Sequence, residues 1–373
     1  MSKLQQNFSP LKGVRVIDFT RLLPGPYATE LLVGMGAEVI KVEDTGKGDY
    51  VRHLMPKLFS MMNRSKKGIA VNYKIEAGRE LVLKMIANAD VVIEGFSPGA
   101  MDHWKLGYED AKAIRSDIIY CSLSGFGLVG PLVNRAGHDP QYTAEAGLVG
   151  IRAKMTDGEY DEIYPPVADL GGGLNAVLAI AAALYSRERT GEGAYLDIAL
   201  SDIPASWAIA CSESDMGVVP KAAFNFYKTK DGRVMSLGNL EPHFWVNFCK
   251  AVGRDDLADR AADLEAVPLV AELIASKTAE EWTVILKDEK VCWAMATSPE
   301  EMSENELLRA RGYVIDAADE GSVLTPILAF ARPSMPDAPA PATGGNTREI
   351  LASVGLSADE ISNLEQQGVV VSS

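Results

Sequence analysis

Residues 14–42 read VRVIDFTRLLPGPYATELLVGMGAEVIKV, and this stretch decides the fold. Val14 to Phe19 is a compact apolar run, Ala37 to Val42 is another, and a helix-like segment from about Pro26 to Met35 lies between them. Strand, helix and strand in that order form one β-α-β unit, with its two strands parallel in one sheet. The pattern recurs downstream. Gly68 to Tyr73 reads as a strand, Glu76 to Ala89 as an amphipathic helix, Asp90 to Phe96 as a strand, Tyr108 to Ser116 as a helix and Ile118 to Leu123 as a strand. Such alternation implies an α/β protein built on a mostly parallel, doubly wound sheet. Ligands bind such sheets beyond the carboxyl ends of the strands, where Thr20 to Tyr27, Glu43 to Arg52, Phe96 to Gly99 and Ser124 to Gly127 fall.

At 373 residues the chain exceeds one ordinary core, and its 47% apolar content is enough to bury two. A formal charge of −15 argues against nucleic acid or an anionic membrane surface as partner. Cys121, Cys211, Cys249 and Cys292 lie far apart without a CxxC pair, which reads as reduced thiols in a cytoplasmic protein. The opening MSKLQQNFSP has no apolar leader and reads as disordered. Leu170 to Tyr185, the longest apolar run, is short, Gly-rich and flanked by Asp169 and Arg187, so it is expected to be a buried helix, not a membrane span.

Asp169 is expected to open that helix, which ends near Thr190 to Gly193 before a strand-like YLDIAL. From about Ala223 the text changes to short strands around a turn at Asp231-Gly232, followed by charged helical segments between Pro242 and Lys290. These features suggest a large domain over residues 1–200 and a smaller α+β domain over residues 223–329. Arg332 to Gly345 is Pro/Ala-rich and reads as a linker, and Thr347 to Gln367 as two short helices split at Gly355, with Ser357 as a cap.

Candidate chemistry gathers in residues 124–142, SGFGLVGPLVNRAGHDPQY. Gly125, Gly127 and Gly130 match the letters of a dinucleotide fingerprint, but Pro131 and Asn134 to Gly137 follow. No helix N-terminus then meets a pyrophosphate, and the glycines read instead as a tight turn that a ligand can approach. His138 stands just before Asp139 and Pro140, which start a helix whose unpaired N–H would face an oxyanion beside the imidazole. Asp169 is either a second proton carrier or an N-cap. Glu241, in LEPHFW, reads on its own as a solvated acid. Lys41, Arg52, Lys57, Arg64, Lys66 and Lys67 concentrate positive charge against an acidic background, as a solvated face or as a site for a phosphate-bearing ligand. No spacing resembles a metal site.

In order along the chain, LKGVRVIDFTRLLPGPYATELLVGMGAEVIKVE, NRSKKGIAVNY, ADVVIEGFSPG, SGFGLVGP, AGHDPQY, ADLGGG, RTGEGAYLDIAL and NLEPHFW resemble the family III coenzyme A transferase superfamily. AGHD, the Asp of ADLGGG and the Glu of LEPHF resemble its 2-methylacyl-CoA racemase branch. The resemblance implies a Rossmann-like large domain to which residues 330–373 return, a small domain, and an interlocked homodimer with active sites between the two kinds of domain. It also implies that His138 and Asp169 are the acid/base pair of a 1,1-proton transfer, that Glu241 orients His138, and that amides at the Asp139 helix start stabilise an enolate. Lys41, Arg64, Lys66 and Lys67 would cradle the phosphates of an acyl-CoA substrate, beside the Gly125–Gly127 turn. No metal, nicotinamide or pyridoxal is implied, and coenzyme A enters as part of the substrate. The chain departs from the pattern at Ser65, where glycine is usual, at Ser97 and His103, where arginines are usual, and over Cys292 to Ser298. A transferase in which Asp169 is a nucleophile is the alternative chemistry, and a silent CoA-binding scaffold is the alternative class.

Overall fold

The computed structural model describes residues 8–150, 165–212, 221–317, 321–326 and 338–373. The leader through residue 7, the polar insert 151–164 and part of the Pro/Ala-rich stretch lie outside them. The chain divides into two compact units, Met1–Asp215 with Glu306–Ser373, and Met216–Asn305. The return to the first unit therefore begins at Glu306, earlier than the residue 330 expected from sequence.

In the first unit, β1 (Arg15–Asp18), β2 (Glu38–Glu43), β3 (Lys67–Val71), β4 (Val91–Glu94), β5 (Ile119–Ser124) and β6 (Ala194–Ala199) lie in the order β3-β2-β1-β4-β5-β6, all parallel. The direction of strand addition reverses between β1 and β4. A crevice opens there, at the carboxyl ends of the strands, because the helices that follow the two strands depart to opposite faces.

Both faces of the sheet are covered at its centre, so β4 and β5 are buried along their whole length, whereas the edge strand β6 exposes Tyr195 and Asp197. Val16, Val91, Ile93, Ile119, Cys121 and Leu123 point into one core, beneath helices Pro24–Gly34 and Val167–Thr190. Ile17, Val92 and Tyr120 point into the other, beneath Glu76–Ile86, Tyr108–Ile114, Thr347–Ser353 and Ala358–Gln366. Ser357 caps the last of these by accepting from the Glu360 N–H at 3.3 Å.

Helix Val167–Thr190 is long and apolar enough to cross a membrane by composition alone, yet Ala168, Gly172, Ala176, Ile180 and Ala183 are buried within the unit. Its glycines set how closely it packs. A Cβ on Gly172 would sit 2.4 Å from Leu200 Cδ2, and one on Gly173 would sit 2.5 Å from the Pro24 carbonyl oxygen.

The far edge of the sheet carries a strand that sequence reading missed, a two-residue segment at Val370–Val371 that pairs antiparallel with β3. Asn346 reinforces it: its N–H donates to the Gly68 carbonyl at 2.9 Å and its Oδ1 accepts from the Gly68 N–H at 3.0 Å.

The second unit has a three-stranded antiparallel sheet of Phe224–Lys228, Val234–Gly238 and Trp293–Met295. Its first two strands turn at Asp231-Gly232, with Gly232 at φ +80°. Trp245, Phe248 and Trp282 fill the core of this unit, and the indole N–H groups of Trp245 and Trp282 donate to the Leu257 and Ile274 carbonyls, each at 2.8 Å.

Candidate active site

At the strand reversal lies a cleft of about 540 Å³, a size suited to a small ligand. Its walls come from the ends of β1 (Thr20, Arg21), β4 (Gly95 to Pro98) and β5 (Ser124 to Phe126), and from His138, Tyr142, Asp169 and Leu200. His138 and Asp169, 31 positions apart (169 − 138), therefore share one cavity.

Local sequence explains how each arrives there. The tight turn after β5 needs Gly125 because a Cβ there would lie 2.4 Å from the Tyr142 ring, while Gly127 turns the chain at φ +81°. The Leu128 N–H then anchors the loop to the Asp197 carboxylate at 3.0 Å. Gly125 thus lies on the cleft wall, but what its missing side chain admits is a tyrosine ring, not a phosphate.

His138 is the N-cap residue of helix Asp139–Glu145, its own N–H donating to Gln141 Oε1 at 3.0 Å. Its ring is exposed at the cleft, and Tyr142 closes the turn by donating its hydroxyl to the Gly137 carbonyl. The helix start was expected to present free amides to an oxyanion. Pro140 has no N–H and the Gln141 amide donates to the His138 carbonyl at 3.0 Å, so that expectation contracts to the Asp139 amide.

Asp139 has a different task from the one expected. Its side chain is 5% exposed, and its Oδ2 accepts from the Ala168 N–H at 2.7 Å and the Asp169 N–H at 3.0 Å. The carboxylate of one helix thus caps the start of another, satisfying two of the amides that a helix N-terminus leaves open. Asp169 is consequently not an N-cap: the helix begins at Val167 after Pro166, and Asp169 occupies its third position. Burial, and then the nearby Asp139 carboxylate, push the Asp169 carboxyl up to about 7. A carboxyl held there exchanges its proton near neutrality.

The basic residues need correction. Lys41 is fully buried, its ammonium donating to the Thr20 carbonyl and to Asp49 Oδ2, both at 3.0 Å. Lys66 is buried as well; its ammonium meets Thr29 Oγ1 at 2.7 Å, Asn63 Oδ1 at 2.9 Å and the Pro26 carbonyl at 3.1 Å, with Asp18 at 3.5 Å. Glu30 lies sealed in the same region, its carboxyl pushed up to about 8 by burial. Arg64 is 2% exposed, and Lys67, partly exposed, pairs with Glu38 at 2.8 Å and Glu349 at 2.6 Å. None of these four lines the cleft. Isolated charges would be expelled from such an interior, so the Lys41 and Lys66 ammonium groups are held by carboxylates, carbonyls and side-chain oxygens.

Ser65, where glycine was usual, keeps the left-handed backbone at φ +62° that favours glycine. Ser97 lines the cleft, whereas His103 is exposed away from it. Glu241 belongs to the second unit, exposed at the N-cap of helix Pro242–Ala251. Arg21, Phe96, Ser124 and Tyr142 were not singled out from sequence; the flagged strand ends were the signal for the first three.

The model of CoA-transferase family III matches residues 11–347. The succinyl-CoA:glutarate CoA-transferase of Mus musculus is 34% identical over 93% of this chain and 87% of its own length. The alpha-methylacyl-CoA racemase of Mus musculus is 29% identical over 97% of this chain and 98% of its own. Among solved structures, a protein of M. tuberculosis matches with a TM-score of 0.79 and 29% identity, covering 92% of this chain and 99% of that one.

Proposed function

The chain belongs to CoA-transferase family III, and from that premise we propose that it inverts the α-carbon of 2-methyl-branched acyl-CoA thioesters by 1,1-proton transfer, with His138 and Asp169 as the proton carriers. The observation that carries this reading is that both side chains line one cleft while Asp169 is crowded by a second carboxylate.

The chemistry follows from the substrate. A thioester α-proton is weakly acidic, so one base must remove it as charge develops on the carbonyl oxygen, and an acid on the opposite face must return a proton. An imidazole titrates near neutrality without help. A carboxyl ordinarily does not, and here burial and Asp139 supply what is missing. In one direction Asp169 removes the proton and His138 returns one; in the other the roles exchange. Asp139 is a positioning residue: it fixes the helix start and raises the proton affinity of Asp169 without touching the substrate. Glu241 orients His138, acting within a homodimer of the kind implied by the resemblance, and coenzyme A is carried as part of the substrate in a cytoplasmic enzyme that needs no further cofactor.

A second reading, CoA transfer to a free acid through an acyl anhydride on Asp169, is favoured by the 34% identity to a glutarate CoA-transferase. It asks Asp169 to be an ionised nucleophile, and a carboxyl held at about 7 is ionised for about half of the time at neutral pH, so the two readings are separated by experiment and not by the carboxyl. Incubation of a (2R)-2-methylacyl-CoA in deuterated water separates the two. Wild type is expected to incorporate α-deuterium and His138→Ala to lose at least about 100-fold of that rate. Transfer of CoA to an added acid without α-exchange would reverse the assignment.

A further inference from the structure

Arg21 sits in the cleft with its charge uncommitted. Its guanidinium carbon lies 4.7 Å from the centre of the Phe96 ring, and among the described residues no carboxylate pairs with it. The other arginine of the cleft, Arg135, is engaged by Glu145. A guanidinium with one face on an aromatic ring keeps its in-plane N–H donors, the fork that matches a carboxylate.

The loop that carries Arg21 is held on both sides. Behind it, the buried Lys41 ammonium donates to the Thr20 carbonyl, and beyond it Leu22 N–H reaches Asp49 Oδ1 at 3.5 Å. Lys41 and Asp49 are themselves a fully buried ion pair at 3.0 Å. Leu22 itself takes φ +68°, a left-handed conformation that strains a non-glycine residue. Gly25 lets the following helix fold back on the same loop, since a Cβ there would lie 2.1 Å from Thr20 Cβ. A strained turn fixed by a buried salt bridge is an expensive way to place an ordinary surface arginine.

We infer that Arg21 is a specificity-determining residue that binds a second carboxylate on the acyl group, so that the preferred substrates are thioesters of dicarboxylic acids, and that the buried Lys41–Asp49 pair is the device that positions it. The inference rests on the acyl-thioester reading above and concerns the same cleft. That cleft, at about 540 Å³, also holds Asp169 and His138, so a cation lining it meets the acyl end of a ligand. One guanidinium accepts a planar carboxylate through two parallel N–H···O bonds, which discriminate strongly against an uncharged chain end.

The test compares two thioesters of equal chain length, one ending in a methyl group and one in a carboxylate, assayed for both α-deuterium exchange and CoA transfer with wild type, Arg21→Gln and Arg21→Lys. Wild type should favour the carboxylated thioester in kcat/KM by about 10- to 100-fold. Arg21→Gln should raise KM for that substrate by a similar factor, hold kcat within about threefold, and alter kcat/KM for the neutral thioester by a clearly smaller factor. Arg21→Lys keeps the charge but not the fork and should recover part of the preference. If Arg21→Gln does not fold, an unaltered preference in Arg21→Lys overturns the inference. So does an equal effect of Arg21→Gln on both thioesters, or no effect on either. Calorimetric titration with CoA and with pantetheine separates the remaining source of negative charge: a loss confined to CoA would assign Arg21 to phosphate and overturn the carboxylate. If wild type turns over neither thioester, the proposed chemistry fails while Arg21 is still tested. Unreactive thioether analogues of the two ligands should then bind with at least a tenfold difference that Arg21→Gln abolishes, and equal binding by wild type would overturn it.

Discussion

Two clusters of ionisable residues lie in the first unit, and they are built in opposite ways. Around β1 to β3, Lys41, Lys66, Asp18, Asp49 and Glu30 are sealed from solvent, and both ammonium groups are spent on carbonyls, hydroxyls, an amide oxygen and carboxylates. Around the helix starts at Asp139 and Val167, Asp139 is sealed, but Asp169 and His138 remain at the cleft. In the first cluster the two ammonium groups are satisfied internally, while both buried Glu30 oxygens lack a hydrogen bond and that carboxyl is raised to about 8 by burial. In the second, burial and then the neighbouring Asp139 carboxylate raise the proton affinity of Asp169. Charged residues near a strand end thus indicate a site only when something is left unsatisfied toward the opening.

The sharpest way to break this contrast is to remove the open group. Asp169→Asn is expected to lower α-proton exchange by about 10²- to 10⁴-fold while the protein remains folded, read from exchange rates alongside thermal denaturation. Retention of more than a tenth of wild-type activity would remove Asp169 from the proton path. The converse experiment addresses the sealed cluster. Lys66→Met leaves Asp18 without its buried counter-charge and should cost about 3–5 kcal/mol in urea denaturation, with KM for the thioester within about threefold in the folded fraction. A large rise in KM at unchanged stability would mean that the lysine is a ligand cation after all.

The smallest effect tests the link between the two carboxyl groups. Asn at position 139 can still accept from the Ala168 and Asp169 amides but carries no charge, so the limb of the pH–rate profile due to Asp169 should move down from about 7 by roughly one unit. The sign for stability follows. The folded chain holds this proton up to about 7, whereas the unfolded chain releases it near the ordinary 3.8. The stabilisation is therefore fully present below the unfolded value and is lost as pH rises through 7. Asp139→Asn should flatten that decline between about pH 4 and 7 in denaturation curves; an unchanged slope would place the cause of the raised carboxyl in burial alone.

Much of this was legible in the chain before folding. Apolar runs such as residues 14–19, 91–93 and 118–123 spell buried parallel strands, and the reversal between β1 and β4 then locates a crevice. The Ser357 cap was equally readable, because capping is local chemistry. What was hidden depends on contacts between distant residues. Nothing near Lys41 or Lys66 in the sequence announces Thr20, Thr29 and Asp18 as internal partners. The cap on the Val167 helix comes from Asp139, on another helix, so the motif ADLGGG read alone made Asp169 a candidate cap. Strand Val370–Val371 is too short for periodicity to reveal. Arg21 fell inside a flagged loop, yet only the ring of Phe96 and the strained Leu22 distinguish it from its neighbours.

The pairing of Val370–Val371 with β3 has a consequence for how the protein is made. Val71 leaves the ribosome well before its neighbour Val370, and at ordinary elongation speeds the interval is about 15–60 s. Throughout it, one margin of the nascent sheet presents bare amides and carbonyls, the kind of surface that recruits strands from other chains. The sealed Lys66 cluster beside that margin can assemble early, but the hem itself is sewn only when the distant valines arrive, so chaperone demand during synthesis should be set by this wait.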